Sequence, residues 1–159
     1  MLSSEDKQKV ELALKNMGPF FKSDQSKNYS LEDLSVIYSV AYTLYQAGDY
    51  KEAITVFQRL ASHDPLTVKH WMGLAASLQM EKEFDESLKA WAMASIISPK
   101  DPLPHFHAAE CFLALGNEVE GRKAMNEVRS LIKNEEQFYL LTKLEKLECC
   151  FREEHQKGA

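Results

Sequence analysis

A chain of 159 residues with 45% hydrophobic and 27% charged side chains has the composition of one ordinary globular domain. Its formal charge of −5 leaves no basic stripe to displace counterions from nucleic acid or an anionic membrane, so neither partner is expected. No apolar run approaches the roughly 20 residues that span a bilayer, no signal-peptide core opens the chain, and its cysteines suggest free thiols in a reducing cytosol.

Ser3 and Asp6 are spaced to cap a first helix, along which Val10, Ala13, Leu14 and Met17 form one apolar stripe. Gly18-Pro19 ends that helix, and the polar stretch 22–28 reads as a linker. Residues 1–29 are thus an appendage with two readings: a lid folded onto the chain's own first repeat, or a dimerisation arm presenting Val10, Ala13, Leu14 and Met17.

From 34 to 135 one pattern of about 34 residues recurs three times, over 34–67, 68–101 and 102–135. Its eighth position is always alanine (Ala41, Ala75, Ala109), and its twentieth is always small (Ala53, Ser87, Gly121). The eleventh is bulky (Leu44, Leu78, Phe112), and so is the twenty-fourth (Phe57, Trp91, Met125). Small residues let the two helices of a hairpin approach, and large ones fill the space between hairpins. The expected fold is therefore all-α: three tandem tetratricopeptide (TPR) hairpins over 30–135 forming a short solenoid with a concave groove. An N-terminal helix precedes them, and a C-terminal capping helix and frayed tail occupy 136–159.

Within the repeats, Ser30 and Asp33 are placed to cap a helix running to about 46, with partners over 51–63, 67–80, 85–97, 102–114 and 118–133. Gly48 falls where a helix end turns left-handed, and Lys82 replaces the turn glycine in the second repeat, a local misfit. The third repeat departs from the pattern at His105, Glu118 and Lys133, as expected where a solenoid ends. Leu140, Leu144, Leu147 and Phe151 then share one face of a helix over 135–154, suited to covering that end, and 156–159 should fray.

In a TPR stack the first helix of each hairpin lines the concave face, through positions two, five, nine, twelve and thirteen. These are Ser35, Tyr38, Tyr42, Tyr45 and Gln46, then Lys69, Met72, Ala76, Gln79 and Met80, then Leu103, Phe106, Glu110, Leu113 and Ala114. Most are apolar or aromatic, which the fold does not require of a solvated face. Such a face marks a binding site unless the N-terminal helix or a twin subunit covers it. Its chemistry suits an extended or short helical peptide with a few apolar anchors.

Catalytic chemistry is missing from the pattern. The sequence has no nucleophile–base pair, phosphate-binding glycine loop or zinc helix, and no cofactor is expected. His105, His107 and Cys111 invite a metal reading, but only His107 and Cys111 share a helix face and no further ligand is evident, so no metal is expected.

The run from Tyr38 to Tyr50 (Tyr-Ser-Val-Ala-Tyr-Thr-Leu-Tyr-Gln-Ala-Gly-Asp-Tyr), continuing through Ala53 and Phe57-Gln58, is similar to the first TPR of the class II type III secretion chaperones. Pro104-His-Phe-His-Ala-Ala-Glu-Cys-Phe-Leu113, followed by Gly116, resembles their third-repeat signature. The resemblance covers roughly 31–132. It implies an ATP-independent bacterial cytoplasmic chaperone that holds an extended N-terminal segment of hydrophobic translocator proteins in the groove, keeping them soluble and export-competent. It also implies a homodimer formed through N-terminal elements, no direct membrane binding, and the export apparatus or a transcription activator as further partners. Carried over by position, the peptide-binding groove is Tyr38, Tyr42, Tyr45, Met72, Ala76, Gln79 and Phe106, with His107 and Glu110 beside it. The alternative is a TPR regulatory or adaptor protein that binds a transcription activator or another secretion component. A carboxylate clamp of the Hsp90-binding kind resembles a set of Lys, Arg and Asn side chains, where this chain has Tyr38, Tyr42, Met72, Ala76, Phe106 and Glu110.

Overall fold

The computed structural model describes residues 29–157, with Ser4, Glu5, Gln8 and Leu12 as isolated positions before them and the backbone alone at 136 and 151–157. The expected first helix, the linker and the stripe of Val10, Ala13, Leu14 and Met17 lie outside the described residues, as does the side chain of Phe151. Among the described residues there are α-helices and one 3-10 turn, and no strand.

Helix α1 (Leu31–Ala47) starts on the capping box its sequence suggests. Ser30 Oγ accepts from the Asp33 N–H at 3.1 Å while Ser30 N–H donates to Asp33 Oδ2 at 2.9 Å. The Ser30 N–H and the Ser30 hydroxyl, both donating to Asp33 Oδ2, hold the Asp33 carboxyl below its ordinary pKa. The next helices are α2 (Tyr50–His63), α3 (Val68–Met80) and α4 (Phe84–Ile97), then α5 (Leu103–Ala114) and α6 (Glu118–Leu131). A 3-10 turn, Glu135–Gln137, leads into α7 (Tyr139–Lys157). Three boundaries differ from expectation by two residues or more, the first being the start of α7 at Tyr139 instead of 135, because Glu135–Gln137 forms the 3-10 turn. Helix α6 stops two residues before 133 because Ile132 swings to an extended backbone at ψ 116°. Helix α7 continues to Lys157, past the point where fraying was expected.

The three turns inside the hairpins share one geometry. Gly48, Lys82 and Gly116 all adopt positive φ, at 88°, 63° and 73°. Each is followed by a backbone bond back to the large eleventh-position residue: Asp49 to Leu44, Glu83 to Leu78 and Asn117 to Phe112. The misfit at Lys82 is thus resolved by the backbone, which keeps the left-handed turn and strains the lysine. A side chain in that region costs roughly 1–2 kcal/mol relative to glycine.

The chain divides into two compact units, Met1–Pro99 and Lys100–Ala159. In the first, α1 packs on α2, α2 on α3, and α3 on α4. Ala41, Ala53, Ala75 and Ser87 are all buried where helices meet. Ser87 Oγ donates to the Ala75 carbonyl at 2.8 Å, so the small residue also ties α4 to α3. Phe57, Leu60, Trp71, Leu74 and Leu78 fill the space between hairpins. Each is worth about 1.5–3 kcal/mol of burial. Gly73 is fixed by that packing, since a Cβ there would lie 2.3 Å from the Phe57 ring.

In the second unit, Phe106, Ala109, Leu113, Ala124, Met125 and Val128 form one cluster with Leu140 and Leu144 of α7. Gly121 admits Leu113, whose Cδ2 would be 2.7 Å from an added Cβ. Leu147 packs against the same cluster, and Arg129 of α6 donates to Glu148 of α7 at 2.6 Å.

Candidate functional site

Tyr38, Tyr42 and Tyr45 recur at spacings of four and three, which places them along one face of α1. Met72, Ala76 and Gln79 do the same on α3, and the two helices touch. Tyr38 is the hub. Its ring stacks on Tyr42 at 6.4 Å and meets the edge of Phe57 at 5.8 Å and the tilted ring of His70 at 6.0 Å. Lys69 Nζ lies 4.5 Å from the Tyr38 ring centroid, a cation–π contact. Tyr45 instead turns its ring to Tyr50 on α2, at 5.5 Å.

Burial grades along this face. Tyr38, Tyr45, Met72, Ala76 and Gln79 are half-buried, whereas Tyr42 is 47% and Met80 49% exposed. Burial, then the neighbouring Tyr42, raises the pKa of the Tyr38 hydroxyl. Burial, then Tyr50 and Tyr42, raises that of Tyr45. Both phenols are therefore neutral at physiological pH and can donate or accept one hydrogen bond. Beneath them His70 is buried, and its Nδ1 donates to the Asp64 carbonyl at 3.2 Å, so that nitrogen carries the proton. Burial is the main reason its pKa is lowered; Asp64 opposes the shift and Lys69 adds to it. The result is an aromatic wall with a few neutral polar tips and one cation, Lys69, at its edge. Such a surface can grip apolar side chains while meeting peptide groups.

The second unit treats its equivalent residues differently. Phe106, expected in the groove wall, is 3% exposed and belongs to the core cluster. Leu113 is buried beside it and Leu103 partly so. The cause is α7, which brings Leu140 and Leu144 into the cluster and sets Lys143 Nζ 5.8 Å from the Phe106 ring centroid. Phe106 is thus a packing residue, and its place in the repeat misled because period carries no information about a later helix. His107 and Glu110 remain partly exposed and pair through Nδ1 and Oε2 at 2.7 Å. Cys111 is buried and Cys149 and Cys150 are exposed. Among the described residues no group of three or more His, Cys, Asp or Glu converges on a possible metal position. None of their helices is long and apolar enough to cross a membrane.

Reading by repeat position placed Lys69, which covers the Tyr38 ring, on this face but missed three other contributors. Phe57 and His70 support Tyr38 from below, and Trp91 donates its indole N–H to Gln79 Oε1 at 3.1 Å. The signal available for the last was chemical: a buried tryptophan needs an acceptor.

The tetratricopeptide repeat models match residues 34–77 and 68–101. Low calcium response locus protein H of Yersinia pestis is 31% identical over 137 residues, covering 84% of this chain and 80% of the relative. The chaperone protein SicA of Salmonella typhimurium is 29% identical over 122 residues, covering 76% and 74%. The fold superposes on the Yersinia enterocolitica type III secretion chaperone SycD in complex with a peptide of the translocator YopD, with a TM-score of 0.74 and 28% identity over 81% of this chain and 99% of that one. SycD has also been seen as a dimer.

Proposed function

The chain belongs to the type III secretion translocator chaperones, and on that premise we propose that it binds an N-terminal segment of a hydrophobic translocator on the face of α1 and α3. The observation that carries this is the aromatic wall of half-buried Tyr38 and Tyr45 and exposed Tyr42, on a helix that touches the one bearing Met72, Ala76 and Gln79, in a chain whose relative SycD holds a translocator peptide.

The mechanism is passive. A membrane-inserting protein in water presents apolar segments that self-associate. A partner that captures such a segment lowers its free concentration by mass action, and release for export needs only that the affinity be moderate. The wall provides burial for aliphatic anchors, at roughly 25 cal/mol per Å2 removed from water. Its phenols and the Gln79 amide meet the peptide groups between anchors. On this reading the chaperone acts without a catalytic step or cofactor, in the bacterial cytoplasm. It acts as a homodimer in which Val10, Ala13, Leu14 and Met17 form the contact, with SycD as the dimeric precedent.

The test is a titration of the full chain with a labelled YopD peptide, followed by anisotropy. Saturable binding that disappears when the peptide's leucine anchors are replaced by serine supports the reading. A folded protein that leaves the peptide free overturns it.

A further inference from the structure

In repeat order the second position holds Ser35, Lys69 and Leu103. A lysine there is a feature of the middle repeat and not a demand of the fold. Lys69 lies three and seven residues before Met72 and Ala76, so it shares their face of α3. It is exposed, and its Nζ sits 4.5 Å from the Tyr38 ring centroid. Other cations of this chain find carboxylates: Lys51 meets Glu81, Lys89 meets Glu86, Lys123 meets Glu120 and Arg129 meets Glu148. Among the described residues no such ion pair includes Lys69. Asp64, whose charge His70 also feels, accepts from the Thr67 hydroxyl at 2.6 Å instead.

A ring face attracts an ammonium without neutralising it. The contact takes up one side of the Nζ group, which has three donors, and leaves its other side to a second partner. Burial keeps the Tyr38 phenol and the His70 ring beneath it neutral at physiological pH, so the cation on this stretch of wall is Lys69. We propose that Lys69 is a specificity-determining residue of the peptide face: it pairs with an acidic side chain that the guest carries beside the apolar anchor seated on Tyr38 and Tyr42. This rests on the peptide-binding reading given above. An aromatic wall takes apolar anchors with little regard to what flanks them, and a fixed charge supplies discrimination. A guest with a carboxylate at that place gains an ion pair, and one with a lysine or arginine there meets a like charge. The formal charge of −5 repels acidic guests at long range, so the preference is one of position and not of net charge.

The experiment uses the full-length protein and the labelled YopD peptide, with glutamate, glutamine and lysine placed in turn at each position beside its leucine anchors. With the wild type, one position should bind about two- to fivefold tighter as glutamate than as glutamine, the range of an exposed ion pair, and weaker as lysine. Lys69→Met keeps the length of the side chain and removes its charge, and at that position both differences should vanish. Lys69→Arg should keep the wild-type order, and Lys69→Glu should invert it. Raising the salt from about 0.05 to about 0.5 M should shrink the wild-type preference and leave Lys69→Met unmoved. Each preference compares two peptides on one variant, so a general loosening of Tyr38 on losing its cation cancels out. A glutamate preference of equal size in wild type and Lys69→Met, or none at any position, overturns the inference and leaves the chaperone reading standing. Failure of the wild type to bind the unmodified peptide removes that reading, and the inference falls with it.

Discussion

The first and third repeats begin with the same pattern and finish with opposite surfaces. Tyr38 and Phe106 occupy the same repeat position, yet Tyr38 is half-buried and Phe106 is core. In the second unit Leu140 and Leu144 of α7 complete the cluster around Phe106. In the first unit the tyrosines of α1 pack on one another and on His70, Phe57 and Tyr50, while Tyr42 stays half in solvent. Repeat position therefore establishes which way a side chain points, while its exposure depends on what the rest of the chain lays over it.

The largest effect that tests this contrast is Phe106→Ala, expected to cost about 3–5 kcal/mol. Urea denaturation monitored by helical CD measures it. A variant as stable as the wild type would return Phe106 to the groove and erase the contrast. Gly73→Ala should come next, at about 1–3 kcal/mol, because its Cβ would lie 2.3 Å from the Phe57 ring that supports Tyr38. It is expected to weaken peptide binding as well as stability, since the wall and its backing move together. Tyr42→Asp should do the opposite of Phe106→Ala. It should change stability by no more than about 0.5 kcal/mol, as surface substitutions do, while weakening the YopD peptide at least tenfold. A parallel loss of cargo binding and CD signal would make Tyr42 a core residue. Lys82→Gly should stabilise the first unit by about 1 kcal/mol by relieving the positive φ, with no effect on peptide affinity. A melting temperature unchanged or lowered would show that the lysine is not strained.

The shallowest effect concerns pH. His70 has its pKa lowered in the fold, so the unfolded chain binds more protons as the solution is acidified. Stability should therefore be full above the ordinary histidine range near 6.5 and fall as pH drops through it toward the lowered value. Thermal melts between neutral and mildly acidic pH measure the slope, and His70→Gln should flatten it.

The hairpins were legible in the sequence because helix packing is local and the same contact is made three times. Ala41, Ala75 and Ala109 recur since the same close approach recurs, and all three are buried. The left-handed turn at Gly48 was legible for the same reason; at Lys82 the residue type argued against the position and the backbone prevailed. Gly73 was not legible. Its counterparts in the other repeats are Ser39 and His107, so no recurring pattern announces that a ring will press on it. The tyrosine ladder was visible from spacing alone. Its support by His70 and Lys69 was not, because those contacts join different helices and appear only once.

Helix α7 has a consequence for the kind of guest such a face accepts. By placing Leu140 and Leu144, one turn apart, in the cluster of Phe106, α7 covers this repeat position with a helical segment. On the proposed reading, aliphatic side chains one helical turn apart are a spacing that a translocator segment can share with α7.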